Sequence, residues 1–391
     1  MIGRLTGVVT QLKKQALHKI YRVWCDLHQL NLVMKYAYAE IKIDGNQFNK
    51  IMSHLTHYLR RQYNFIAEIQ SICPKATTRW TAMGNTCKWL LEKRIALFEY
   101  FAKDDPTQAP PSWWWVVVGA VSALSEQVNI VVVKLQGKDL LLSQQKVELE
   151  QLAALILVQI EVDGPLSPEQ IAEMDKSTHF TYSQWSVSHE KIILFLYDQG
   201  TFIQETYNQL SLQLQIEVIH AVAMFILYLI DGILNIQAER NSANKPADNL
   251  PPVLPHQLVK IYGRDFTKIV SDHRNHLKQF WTEELIDKLE RQHRELRFAY
   301  QHDSILQSAL NNCDDSTSFE TSWSIVKGRD FDVLRDFCGG IATMFANTAS
   351  VESDFSILGW EKDEYRKSLT DLSLEGIMQC KQFQLLSSLL I

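Results

Sequence analysis

The residues Val218-Ile-His-Ala-Val-Ala-Met-Phe-Ile-Leu-Tyr-Leu-Ile230 form an apolar run that is interrupted only by His220 and bracketed by Glu217 and Asp231. A second run of the same kind covers residues 113–124. A helix that crosses a bilayer needs about 20 apolar residues, so both runs are too short to span a membrane. They predict buried core helices of a soluble protein.

The composition of the whole chain points in the same direction. Of 391 residues, 46% are hydrophobic, and only 15 are Gly and 10 are Pro, which fits a globular rather than a disordered protein. Scarce Gly and Pro among abundant Leu, Gln, Glu and Lys also favour helix over strand. Six cysteines are too few for a disulfide framework and indicate reduced, intracellular thiols. The first residues contain no apolar core of a secretory signal peptide.

Apolar periodicity predicts helices over most of the chain, and one strand at residues 18–24, where polar and apolar side chains alternate. The helical stretches are 30–41, 48–69, 81–101, 113–135, 138–160, 185–240 and 265–299. Proline-rich breaks at 104–111 and 241–255 separate them. The predicted fold class is therefore mainly α with a small α/β part.

Charge is distributed unevenly along the chain, whose net charge is −6. Residues 1–103 contain 16 Lys+Arg and 6 Asp+Glu, a balance of +10, which leaves −16 for the remainder. A basic N-terminal quarter is suited to contact phosphates, whereas the acidic remainder excludes a uniformly basic nucleic-acid binder. The alternative is that the helix surfaces differ in charge without any functional reason.

Cys25-x-x-His28 has the spacing of half a zinc site, and His54 with His57 could supply the other half. A structural zinc ion needs about four N or S ligands in a tetrahedron. The combined spacing fits no common zinc finger. A packing or local hydrogen-bonding role for these residues is the alternative.

Two aromatic motifs also allow two interpretations. In Thr78-Arg79-Trp80, the indole can stack on an unpaired base while the guanidinium binds a phosphate. The alternative is a turn whose Trp covers a helical core. Trp113-Trp114-Trp115 opens a predicted helix, and such a cluster is more often a core anchor than an exposed contact patch.

Near the C-terminus, Asn347-Thr-Ala-Ser-Val-Glu-Ser-Asp-Phe-Ser-Ile-Leu-Gly-Trp360 places Glu352 in the first turn of a predicted helix. Phe355 and Leu358 follow at helical spacing. An acid here is favoured by the helix dipole, with Ser350 as N-cap, and this alone would explain it. As a metal ligand, Glu352 needs partners, because one carboxylate cannot hold two divalent ions.

Together these motifs resemble those of hAT-family DNA transposases. Cys25-Asp-Leu-His28-Gln-Leu-Asn-Leu32 is similar to the family's Cys-x-x-His motif beside the active site, which follows a strand of an RNase H-like core. Thr78-Arg79-Trp80 is similar to the motif that contacts transposon-end DNA. The segment around Glu352 resembles the C-terminal signature that supplies the last acid for Mg²⁺ or Mn²⁺.

The resemblance implies a truncated RNase H-like core interrupted by a large all-helical insertion domain. Residues 1–40 would be the core remnant, 41–328 the insertion, and 329–391 the last core helix with the dimerisation segment. The partner aspartates and the N-terminal zinc finger of the family are expected to be missing, which makes Glu352 a remnant ligand. The implied dimerisation residues are Phe355, Leu358, Trp360, Leu369, Leu372, Leu374 and Ile377.

The expected function is that of a nuclear, transposase-derived protein without catalytic activity, which forms a homodimer or higher oligomer. The implied DNA contacts are Cys25, His28, Arg79 and Trp80. No cofactor is expected to be bound, and no small-molecule substrate or membrane is expected as a partner. The alternative is a helical protein-interaction scaffold that has no role on DNA.

Overall fold

The two apolar runs lie inside the two longest helices of the structure, a computed structural model that describes residues 26–74, 80–137, 140–241, 251–314 and 316–342. Helix accounts for 72% of the described residues and strand for 4%. The prediction of a mainly α protein with a small strand content is confirmed.

The elements of the first part of the chain run from α1 to α7. Their bounds are α1 Asp26–Glu40, β1 Lys42–Ile43, β2 Asn46–Gln47, α2 Phe48–Leu59, α3 Tyr63–Ile69, α4 Trp80–Glu92, α5 Arg94–Lys103, a 3-10 turn Pro106–Gln108, α6 Ser112–Leu135 and α7 Leu142–Ile160. The elements of the second part of the chain run from α8 to α17. Its bounds are α8 Pro168–Glu173, β3 His179–Tyr182, β4 Trp185–Ser188, α9 His189–Tyr197, α10 Thr201–Asn208, α11 Leu212–Asn241, α12 Pro255–Leu258, α13 Gly263–Leu277, α14 Glu283–His302, α15 Ser304–Asn311, α16 Phe319–Ser324 and α17 Asp332–Ala342.

Helix α11 is the centre of the first hydrophobic core, where it packs against α1, α7 and the β3–β4 hairpin. Its contact with α1 is close because Gly232 has no side chain: a Cβ there would overlap the Val33 side chain. The ring of Tyr38 on α1 stacks on Phe225 of α11, with centroids 5.3 Å apart.

Helix α6 is the second long helix of this core, and it packs against α4, α7 and α10. All three tryptophans at its start are buried, and Trp114 has no exposed surface. Trp114 stacks on Phe48 and meets Trp115 edge-on. The prediction that these tryptophans anchor the core is therefore confirmed.

By length and composition, α6 and α11 are long and apolar enough to cross a membrane. In the fold, however, 67% and 61% of their apolar windows are buried inside the protein. Both helices are longer than the apolar runs in the sequence. Beyond each run, apolar residues recur at helical spacing with polar residues among them, which continues the helix where the unbroken apolar stretch ends. Their burial is compatible with the predicted core helices of a soluble protein.

A second hydrophobic core joins α12 to α17 and includes Leu141 from the first part of the chain. Buried polar groups link its elements. Trp323 Nε1 donates to the carbonyl oxygen of Val253 over 3.0 Å. Gln292 accepts from the backbone N–H of Leu334 over 2.8 Å and donates to Asp332 Oδ1 over 2.6 Å.

Several predicted helices are divided in the structure. The stretch 48–69 is two helices, α2 and α3, and 81–101 is α4 and α5. No Gly or Pro marks either break, so periodicity alone could not show them. The stretch 185–240 begins with a strand, because β4 pairs with β3 as an antiparallel hairpin.

The predicted RNase H-like sheet is not among the described elements: the strands that the structure describes form two separate antiparallel hairpins, β1–β2 and β3–β4. The predicted strand at 18–24 lies outside the described residues. Helix α1, assigned above to the core remnant, shares its hydrophobic core with α11 of the assigned insertion. The domain boundaries after residues 40 and 328 stay predictions.

Candidate nucleic-acid interface

The structure describes two of the residues that the sequence assigned to DNA contact. His28 lies exposed in the first turn of α1, and Trp80 is the first residue of α4, with no described side chain. Cys25, Arg79 and Glu352 lie outside the described residues. So do all of the assigned dimerisation residues, namely Phe355, Leu358, Trp360, Leu369, Leu372, Leu374 and Ile377.

Helix α2 has one apolar face and one cationic face. Its buried residues are Phe48, Met52, Leu55, Thr56 and Leu59. The opposite face exposes Lys50, His54 and His57, and it continues into the following turn with Arg60 and Arg61. We call these five residues the α2 cationic face.

The α2 cationic face has no acidic neighbours along the chain, because no Asp or Glu occurs between Asp44 and Glu68. Among the described residues, none of its members forms an ion pair. Lys50, Arg60 and Arg61 are cations without an ion pair among the described residues, so they leave a positive field at the surface, to which an anionic polymer is attracted.

The apolar side of α2 is fixed to the body of the protein. The Tyr58 hydroxyl shares a hydrogen bond of 2.9 Å with the Tyr100 hydroxyl and donates to Asp105 Oδ2 over 3.2 Å. Burial, followed by these two partners, raises the pKa of Tyr58 well above its usual range. Tyr58 therefore stays protonated and acts as an anchor, so that the orientation of the cationic face is fixed.

The basic end of α2 holds the chain that leads into Thr78-Arg79-Trp80. Arg60 Nη1 donates to the carbonyl oxygen of Cys73 over 2.7 Å. From the other side, Trp89 Nε1 of α4 donates to Ser71 Oγ over 2.8 Å. The segment a few residues before the motif is thus bonded to both α2 and α4. Helix α1, which carries His28, packs against both helices.

An exposed aromatic ring adjoins the two arginines. Tyr63 opens α3, and 80% of its surface is exposed. Arginines and an exposed ring together provide phosphate binding and a stacking surface. By contrast, the nearby Cys73 is buried, and burial raises the pKa of its thiol to about 12.

The structure describes only the histidines of the predicted zinc site. His28, His54 and His57 are all exposed, and the described part of the chain contains no group of three or more His, Cys, Asp or Glu side chains arranged to hold a metal ion. Cys25 lies outside that part. The described residues give His54 and His57 a place on a cationic surface instead.

In the sequence, His54 and His57 were interpreted either as zinc ligands or as packing and hydrogen-bonding residues, and Lys50, Arg60, Arg61 and Tyr63 were not predicted as site residues. The signal for them was present: a stretch without acids in which basic residues recur at helical spacing. Apolar periodicity shows the buried face of this helix, and the same spacing places the basic residues on the opposite face.

In comparisons with known proteins, no family model, no curated protein and no solved structure matches this chain. Fold and surface alone therefore define the class of this protein: it is mainly helical, and its α2 cationic face forms no ion pair within the described part of the chain.

Proposed function

We propose that this chain is a hAT transposase-derived protein that binds DNA and self-associates, and that the α2 cationic face is its contact with the DNA backbone. The observation that carries the proposal is the α2 cationic face, none of whose members forms an ion pair among the described residues, and whose Arg60 donates to the carbonyl oxygen of Cys73, a few residues before Thr78-Arg79-Trp80. The family resemblance and the positive charge of residues 1–103 support it.

In this proposal α2 provides affinity and the tryptophan motif provides contact with the transposon end. Helix α2 is about 18 Å long, so its basic residues follow a phosphate backbone over several nucleotides. Arg79 binds a phosphate and Trp80 stacks on a base. Cys25 and His28 position these elements, as their counterparts do in the family.

The remaining parts of the proposal rest on the resemblance. The segment containing Phe355, Leu358 and Trp360 mediates homodimerisation and completes an RNase H-like core with residues preceding α1. The protein acts in the nucleus. Strand transfer is not proposed for these 391 residues, because Glu352 has no acidic partner of the family's motifs among them.

The test is the salt dependence of binding to duplex DNA, measured by fluorescence anisotropy. Each phosphate contact contributes about 0.9 to the slope of log affinity against log salt. The double substitution Lys50→Gln with Arg61→Gln is expected to lower the magnitude of that slope by roughly 1.8.

A matched control removes the same charge elsewhere. Lys176 and Lys327 are exposed and unpaired among the described residues, so Lys176→Gln with Lys327→Gln changes the net charge equally. If both double variants shift the slope alike, the effect is one of net charge and the α2 face is not the contact. Unchanged affinity in Arg79→Ala and Trp80→Ala would remove the tryptophan motif from the proposal.

The alternative function is a protein-interaction scaffold, and an apolar surface on α6 and α7 favours it. Four aliphatic side chains of these helices are at least half exposed, namely Ile130, Val133, Leu155 and Val158. The two helices are antiparallel neighbours, since Gln127 donates to Gln159 while Lys134 pairs with Glu148 over 2.8 Å. Apolar residues grouped in this way are typical of contact surfaces. Absence of salt-dependent DNA binding, with loss of self-association in Val133→Glu, would favour the scaffold.

A further inference from the structure

A second aromatic and cationic cluster lies far from α2 in the sequence. The ring of Tyr262, just before α13, is 62% exposed. The guanidinium carbon of Arg264 lies 5.8 Å from the ring centroid, and that of Arg297, on α14, lies 5.3 Å from it. We call these three residues the Tyr262 cluster. Because Arg297 is distant in the chain, tertiary structure creates the cluster.

The two arginines of the cluster differ in how firmly their guanidinium groups are held by other residues. Arg297 Nε donates to the carbonyl oxygen of Val259 over 3.3 Å, which fixes this guanidinium over the ring. Arg264 is 83% exposed, and its ion pair, to the adjacent Asp265, is 3.4 Å long and itself exposed. An exposed pair of this kind contributes little energy, so Arg264 is available to another anion.

The charge around the cluster departs from that of its half of the chain. Residues 104–391 have a balance of −16. Nevertheless, Lys260 precedes Tyr262 by two residues, Lys268 follows Arg264 by one helical turn, and both are exposed. Neither lysine forms an ion pair with the residues that the structure describes. An anionic ligand therefore meets a local positive field here.

We propose that the Tyr262 cluster binds single-stranded nucleic acid. An unpaired base stacks on the Tyr262 ring, and the flanking phosphates bind Arg264 and Lys260. Unpaired nucleotides supply both a π-face and a phosphate at each step, which matches a largely exposed ring with guanidinium groups 5.3 and 5.8 Å from its centroid. An acidic peptide would use the charges and leave the ring without a partner, and duplex DNA keeps its base faces stacked.

The experiment measures binding of the full chain to a labelled oligo-dT by fluorescence anisotropy. Tyr262→Ala is expected to weaken binding roughly 5-fold or more, while Tyr262→Phe keeps the stacking surface and nearly the wild-type affinity. Arg264→Gln is expected to lower the salt slope by about 0.7, the value for one phosphate of a single strand. Phe280→Ala is the control, because Phe280 is an exposed ring at the opposite end of α13.

The proposal is overturned if Tyr262→Ala binds oligo-dT as wild type does, or no more weakly than Phe280→Ala. It is also overturned if a poly-glutamate peptide competes with oligo-dT as well as unlabelled oligo-dT does, which would show a site for acidic peptides. This result is separable from the proposed function. Loss of duplex binding in the Lys50 and Arg61 double variant concerns α2, and loss of oligo-dT binding in Tyr262→Ala concerns this cluster.

Discussion

His293 is expected to make the protein less stable as the pH falls from 7 to 5. Its side chain is fully buried in the second core, where Nε2 donates to the carbonyl oxygen of Leu258 over 3.1 Å. The ring stacks on Phe266 with centroids 4.0 Å apart. Its Nδ1 has no hydrogen-bond partner among the residues that the structure describes. A proton added there would be buried without an acceptor.

Burial lowers the pKa of His293 from 6.5 to about 4, and the positive charges of Arg297 and Arg294 act in the same direction. Above pH 6.5 the imidazole is neutral in both the folded and the unfolded state, so His293 makes no difference to stability there. As the pH falls from 6.5 towards 4, the unfolded state takes up the proton and the folded state does not. The free energy of unfolding decreases through this window, by roughly 2 kcal/mol at pH 5 and about 3 kcal/mol at pH 4 or below.

The assay is urea unfolding followed by circular dichroism at pH 7 and pH 5, for wild type and His293→Gln. A glutamine amide can still donate to Leu258 but does not titrate. The variant is therefore expected to lose roughly 2 kcal/mol less than wild type between the two pH values, whatever its stability at pH 7. His54→Gln, which removes an exposed histidine, serves as the control. Equal losses in wild type and His293→Gln would refute the reasoning.

Four further expectations follow from the same structure and sequence. Trp114→Ala removes a fully buried indole from the first core and is expected to lower the free energy of unfolding by about 3–5 kcal/mol, whereas Ile305→Ala, at an 82% exposed site, leaves it nearly unchanged; similar melting temperatures for the two would contradict this. Asp332 accepts from Gln292 and pairs with Lys288 over 2.9 Å, and these partners hold the pKa of its carboxyl well below the usual range. Because that carboxyl is largely exposed, Asp332→Asn is expected to cost only about 1 kcal/mol at pH 7, and the difference from wild type should shrink as the pH falls below about 4; a constant difference would show that charge is not involved. With Mg²⁺ or Mn²⁺, the 391-residue chain is expected not to nick supercoiled DNA. Nicking by the wild type that is lost in Glu352→Gln would contradict this and would show that Glu352 belongs to a working active site. Metal analysis is expected to find less than one zinc per several chains, and a full equivalent that is lost in Cys25→Ser would support the zinc half-site instead.

The sequence predicted the buried parts of the fold better than their connections. The apolar runs at 113–124 and 218–230 identified the core of α6 and α11, because helical burial leaves a strong compositional signal. The breaks at Arg60–Gln62 and at Lys93 contain no Gly or Pro, so the sequence carries no local signal for them. The β3–β4 hairpin was missed because its Tyr182 and Trp185 lie in a short aromatic stretch next to helical sequence.

The candidate sites divide in a similar way. The α2 cationic face is visible in the sequence once its helix is known, because its basic residues are close together and no acid intervenes. The Tyr262 cluster could not be predicted, since Arg297 reaches the ring only through the packing of α13 against α14. Glu352, by contrast, was predicted from the family resemblance alone, and it lies outside the described residues.

The protein has a net charge of −6, but a negative net charge does not prevent DNA from binding at either of the two proposed surfaces. At physiological salt the Debye length is about 8 Å, so a phosphate at the surface responds to charges within one or two side-chain lengths. The sequence between Asp44 and Glu68 contributes Lys50, Arg60 and Arg61 to this surface and no acid, although the Asp105 carboxylate accepts from Tyr58 of the same helix. Distant acids still matter for the approach of DNA, since steering acts over longer distances when the salt is low. Adding acids elsewhere on the surface should therefore slow association without changing the salt slope, whereas neutralising Lys50 and Arg61 should change the slope itself.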